Sequence, residues 1–175
     1  MSLDAGAGKS VSGSLQSAEG KGVVVRIEHR FDTDIDNLWS ALTEPSHLAR
    51  WYGKVEGDLR PGGEFSAQVA ATGWEGTGRV EACEPPRQLL VASKDPDLPD
   101  DDSTEVTLTA EGDRTLLVVE QWGMTLDLLA AYAAGLQIHV EDLADHVAGR
   151  ERREAAKARW DELIPGHQEL VAGVS

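Results

Sequence analysis

The sequence predicts an α+β domain, in which a long C-terminal helix lies against one antiparallel sheet of about six to seven strands. Three observations carry this. From about Thr125 to Val147, the residues Leu129, Tyr132, Leu136, Val140, Leu143 and Val147 recur every three or four positions. That spacing keeps one helix face apolar over roughly six turns, and Gly149 follows as a stop. From Val23 to Trp122 the pattern is instead that of short strands and turns, with two small helices near its start. A run of strands followed by a helix makes segregated layers rather than alternating parallel units.

Composition narrows the class. A chain of 175 residues with 41% apolar content can fold as one domain with a sizeable core. The net charge is −15, from 31 acidic and 16 basic residues. Such a surface repels phosphate backbones, so nucleic acid is not an expected partner, and a basic partner or cationic ligand is slightly favoured. Cys83 is the one cysteine, which rules out an internal disulfide and suits a reducing compartment. No apolar run reaches the ~20 residues of a membrane span, so no membrane insertion is expected, and the expected location is the cytoplasm. Residues 1–22 are rich in Gly, Ser and Ala without periodicity and are expected to be a disordered tail. Gly6 to Ser10 ends like a phosphate-binding loop but lacks its first glycine and a preceding strand, so it carries no such reading.

Val23 to Phe31 alternates as a first strand, with Val23, Val25, Ile27 and His29 in one phase. Asp32 and Thr33 offer N-caps for a short helix with Ile35, Leu38, Trp39 and Leu42 on its apolar face. Pro45 opens a second, which ends at Gly53. Val55 to Leu59 leads through the turn Arg60-Pro61-Gly62-Gly63 to a strand with Phe65, Ala67 and Val69. Trp74 to Glu84 is a strand carrying Gly76 and Gly78, which imply a bulge or close approach of another segment. After Pro85-Pro86, Gln88 to Ser93 is a strand, and Asp95 to Asp102 is expected to be a solvated loop. Glu105 to Ala110 and Thr115 to Trp122 form a hairpin ahead of the long helix. Residues 1–22, 23–149 and 150–175 are therefore the expected tail, domain and helical extension. The extension is expected to run as a helix over Arg150 to Glu162 and to break at Pro165-Gly166. Its few apolar residues, Ala155, Ala156 and Trp160, need a surface to cover, either on the same domain or across a homodimer.

Motifs at the joints resemble one family. "FDTDIDNLWSALTEPSHLARWYG" (Phe31 to Gly53), "DLRPGGEF" (Asp58 to Phe65), "GTGRVEACEPPRQLL" (Gly76 to Leu90) and "YAAGLQIHVEDLADHVAG" (Tyr132 to Gly149) resemble, in order, the activator of heat-shock-protein-90 ATPase homologue-like family of the START-like, or SRPBCC, superfamily. The resemblance implies a helix-grip fold, a curved antiparallel sheet wrapped around the C-terminal helix with a cavity between them. Family members include binders of apolar molecules and cyclases or hydrolases of aromatic ones. It also implies a departure, since the family's closing helix commonly has Trp after the glycine where this chain has Leu136.

The expected function is binding of a small hydrophobic or aromatic molecule, with an enzyme on such a ligand or a co-chaperone-like interaction module as alternatives. The candidate contact residues are Phe65, Trp74, Trp122, Tyr132, Leu136, His139 and Leu143. In the enzyme reading His139 transfers the proton and Tyr132 donates a hydrogen bond. His139, Asp142 and His146 share a helix flank, but a metal site needs more ligands than these, so neither metal nor cofactor is expected. Glu120 and Gln121 are adjacent, so one of them faces inward, and the flanking phases are both apolar. Calcium binding by the aspartate loop lacks the required spacing.

Overall fold

The computed structural model describes residues 12–94, 101–151 and 156–173. Along the chain run β1 (Ser12–Ala18), β2 (Gly22–Phe31), α1 (Ile35–Thr43), α2 (Pro45–Trp51), β3 (Gly53–Gly57), β4 (Glu64–Val69), β5 (Glu75–Glu84), β6 (Gln88–Lys94), β7 (Asp102–Glu111), β8 (Arg114–Trp122), α3 (Leu126–Val147) and α4 (Lys157–Ala172). The eight strands form one antiparallel sheet in the order β1-β2-β8-β7-β6-β5-β4-β3. The two short helices carry the chain from β2 to the far edge of the sheet. From β3 the chain meanders back strand by strand until β8 pairs with β2, from Val25↔Gln121 to Phe31↔Thr115.

Local chemistry sets these elements. Asp34, rather than the expected Asp32 or Thr33, caps α1 by accepting from the Asn37 backbone N–H at 2.7 Å. Pro45 occupies the first turn of α2, where its missing donor costs nothing. Trp51 ties the two helices together, its indole N–H donating to the Ala41 carbonyl at 2.8 Å. The core lies between α3 and the concave face, where Leu129, Ala133, Leu136, Val140 and Leu143 meet Val25, Ile27, Leu117 and Val119.

The structure differs from the sequence reading in three places. Ser12–Ala18, inside the expected disordered tail, is a strand paired with β2 from Ser12↔Glu28 to Ala18↔Gly22; residues 1–11 lie outside the described residues. It shows no apolar alternation because it is an edge strand, held by its backbone ladder and by Leu15 against the core. In the extension, residues 152–155 lie outside the described residues, and from Lys157 the helix runs past the expected break, straight through Pro165 to Ala172. Pro165 removes one backbone donor, and buried Leu163 and His167 on either side of it hold the helix in place. Finally, Asp102 ends the expected solvated loop, yet it opens β7 and is only 3% exposed; residues 95–100 lie outside the described residues.

The apolar side of α4 lies on α3 of the same chain. Ala156 and Leu163, with Trp160 and Ile164, pack against Ala134 and Ile138. Arg159 bridges to Glu141 at 2.6 Å, and His167 Nε2 meets Gln137 Oε1 at 2.9 Å. α3 is thus covered on two sides, which is why its buried positions run continuously from Ala133 to Ile138. Of the expected patch, Ala156 and Trp160 thus lie on the same domain, and Ala155 lies outside the described residues.

Candidate ligand cavity

A cavity of about 550 Å³ separates α3 from the concave face of the sheet, within the range of small-molecule sites. Its sheet wall is built by alternation. In β8, Leu117, Val119 and Gln121 border the cavity, which places Glu120 on the opposite face, where it pairs with Arg26 at 3.4 Å. In β5, Val80 faces in and the pair Arg79–Glu81 faces water. The two glycines of β5 have a packing reason. A Cβ at Gly78 would lie 2.5 Å from Cζ of Phe65, its cross-strand partner, and one at Gly76 would lie 2.3 Å from the Trp74 indole. Both rings therefore lie over bare backbone, where they border the cavity. At Gly135, Trp160 of α4 comes within 3.4 Å of a Cβ position and Thr72 within 3.9 Å, so α4, α3 and the β4–β5 turn meet at one point of the wall. A second depression, about 320 Å³ near Gly53, Gln68 and Glu75, lies on the outer edge of β3 and β4. It is smaller, with the polar side chains of Lys54, Gln68 and Glu75 in its lining, and the larger cavity is the better candidate.

Of the residues expected from sequence, Phe65, Trp74, Tyr132, Leu136, His139 and Leu143 border the cavity. Trp122 does not; it follows Gln121 in β8, so its side chain goes to the other face, where Lys21 sits 4.0 Å above its ring. Trp39, on the expected apolar face of the first short helix, and Trp51 also border the cavity, as do Trp160 and the half-buried thiol of Cys83, which burial pushes up in pKa.

The polar part of the wall was largely missed. Gln121 Nε2 donates to Asp102 Oδ2 and to Thr104 Oγ1, both at 3.2 Å, and all three side chains border the cavity with Tyr52 and His139. The Tyr52 and His139 rings meet edge-on at 5.0 Å. Burial, and secondarily the charge of Asp102, pushes the Tyr52 phenol up to about 12, so it stays a neutral donor. Burial lowers His139 to about 4 and keeps it neutral. Its ring retains some accessible surface because it borders the void, while its Nδ1 is buried without a hydrogen-bond partner. The flank His139, Asp142 and His146 is not a ligand set: His146 Nε2 instead lies 3.2 Å from His47 Nδ1. Among the described residues no group of three or more His, Cys, Asp or Glu is placed to hold a metal, and no helix is long and apolar enough to cross a membrane.

Comparison with known proteins assigns the family. The model described as "Activator of Hsp90 ATPase homolog 1-like protein" matches residues 32–148, which hold α1, α2, the sheet from β3 to β8 and all of α3. The chain belongs to the activator of Hsp90 ATPase homologue 1-like family. A comparison with curated protein sequences gives no match. Among solved structures, this chain is similar to CalU16 from Micromonospora echinospora, at 27% identity and TM-score 0.75 over 94% of this chain and 99% of that one. It shares the fold of DynU16, a protein in the dynemicin biosynthetic locus, at 24% identity and TM-score 0.68 over 75% of this chain and 50% of that one. It also shares the fold of PFC0360w, an HSP90 activator from Plasmodium falciparum, at 20% identity and TM-score 0.52 over 59% of this chain and 74% of that one. The helix-grip architecture of these relatives is the one seen here. Helix α4 lies beyond the matched region, so Trp160 adds to the cavity wall from outside the family's core.

Proposed function

We propose that this chain binds a small hydrophobic or aromatic molecule in the cavity between α3 and the sheet, in the cytoplasm. The observation that carries the reading is a 550 Å³ void with an apolar, aromatic-rich wall and a few polar groups set into it. Phe65, Trp74, Tyr132, Leu136, His139 and Leu143 are the proposed contacts. Binding is favoured over catalysis by the state of His139. A general base works best with a pKa near the working pH, whereas burial lowers this imidazole to about 4, making it a weak base, and its Nδ1 has no partner to orient it. A protein-docking role would use an exposed apolar patch; among the described residues Leu126 is the large apolar side chain that is exposed.

Native mass spectrometry of freshly purified protein tests the reading. A retained adduct of low polarity is expected, released on denaturation. A bare chain that also takes up no added naphthalene-type compound would contradict it.

A further inference from the structure

Taking the cavity as the ligand site, the chemistry of its wall narrows what the ligand carries. Among the described residues, Asp102 is the one carboxylate bordering the cavity, and no lysine or arginine borders it. Asp102 is held in place: it opens β7, and its Oδ2 accepts from Gln121 Nε2. A carboxylate only accepts, so the amide nitrogen of Gln121 must face it. Gln121 Oε1 is thereby fixed as a second acceptor, and it is buried with no hydrogen-bond partner. The wall thus offers a carboxylate and a carbonyl oxygen side by side.

The rest of the wall suits the same charge. Trp39, Tyr52, Trp74 and Trp160 border the cavity, and aromatic faces attract cations by their quadrupole. His139, kept neutral by burial, brings no competing positive charge. The chain's net charge of −15 draws cations toward it. An anionic ligand would be repelled by Asp102, and a ligand without a donor would leave Gln121 Oε1 unmet.

We propose that the ligand is an apolar or aromatic molecule bearing a single basic amine, whose ammonium group docks at Asp102 and Gln121 Oε1 while its body lies among the aromatic side chains. This rests on the cavity being a ligand site.

The test uses three probes of one shape, 1-naphthylmethylamine, 1-naphthylmethanol and 1-naphthoic acid, titrated calorimetrically into the full chain at neutral pH. Enough salt is present to screen surface charge. The amine is expected to bind at least about tenfold more tightly than the alcohol, with the acid weakest. Asp102→Asn, shown to be folded by thermal melting, should remove most of that preference by weakening the amine. Should that variant not fold, Gln121→Met is used instead and should weaken the amine more than the alcohol. Equal affinity of wild type for amine and alcohol, or a preference that survives these substitutions, overturns the inference and leaves the cavity reading standing. Binding of none of the three probes overturns both.

Discussion

Protonating His167 should loosen the hold of α4 on α3, and the size of the effect follows from its surroundings. The ring is 2% exposed. Gln137 turns its amide nitrogen toward Glu141, 3.4 Å away, so its Oε1 faces the imidazole and accepts from Nε2–H at 2.9 Å. Nδ1 is then the bare nitrogen, buried without a partner. A proton added there creates a charge in a dry site, and burial accordingly lowers the pKa from 6.5 to about 4. The folded-state value is depressed, so the unfolded chain binds the proton more readily. The stability contribution is complete above pH 6.5 and is lost as pH falls from 6.5 toward 4, by roughly 3 kcal/mol in all. Urea unfolding of the full chain and of His167→Leu, at pH 7.5 and pH 4, isolates this one group, because other titrating residues cancel in the difference. At pH 7.5 the variant should be less stable by about 1–3 kcal/mol, since Gln137 Oε1 loses its donor. At pH 4 that gap should shrink or reverse by roughly 2–3 kcal/mol. A gap that stays the same at both pH values would refute the reasoning.

Two further outcomes are expected. Leu143→Asp places a charge at a position 1% exposed and should abolish cooperative folding, as seen by far-UV circular dichroism on heating; a melting temperature within a few degrees of wild type would show that this face is not core. A chain ending at Gly149 uncovers Ala134 and Ile138, each fully buried under α4, and should melt lower and self-associate. Light scattering on the full chain at micromolar concentration should give the monomer mass; a full-chain dimer would contradict the covering role of α4.

The sheet and its closing helix were legible because burial on one face writes a period into the chain: 2 in β2 and 3.6 in α3. β1 was not legible, because an edge strand held mainly by its backbone ladder needs no apolar pattern. The extent of α4 was hidden for a different reason: its stability comes from tertiary packing of Leu163 and His167, which overrides the propensity cost of Pro165. At the site, Tyr132, Leu136, His139 and Leu143 could be placed on the cavity side from helical spacing alone. Trp122 was misplaced because residues 121 and 122 both adjoin apolar phases, and the pairing Val25↔Gln121 decides which one points in. Asp102 was hidden among aspartates of a loop; its membership of β7 depends on register with β8, where Ser103 pairs with Trp122. The glycines at 76 and 78 were the one sequence signal of the cavity's aromatic wall, and only the cross-strand pairing shows which rings they accommodate.

The central claim is that the space beneath α3 is an open, apolar binding site. Its most direct test is fluorescence titration of the full chain with prodan, a neutral naphthalene dye, compared with Leu136→Trp. Leu136 borders the cavity, and an indole there fills space the dye needs. Wild type should bind one dye saturably with a blue-shifted emission, and Leu136→Trp should weaken that binding at least about tenfold, or ~1.4 kcal/mol, while still melting cooperatively. No saturable binding to wild type, or equal binding by a folded Leu136→Trp, would contradict the account.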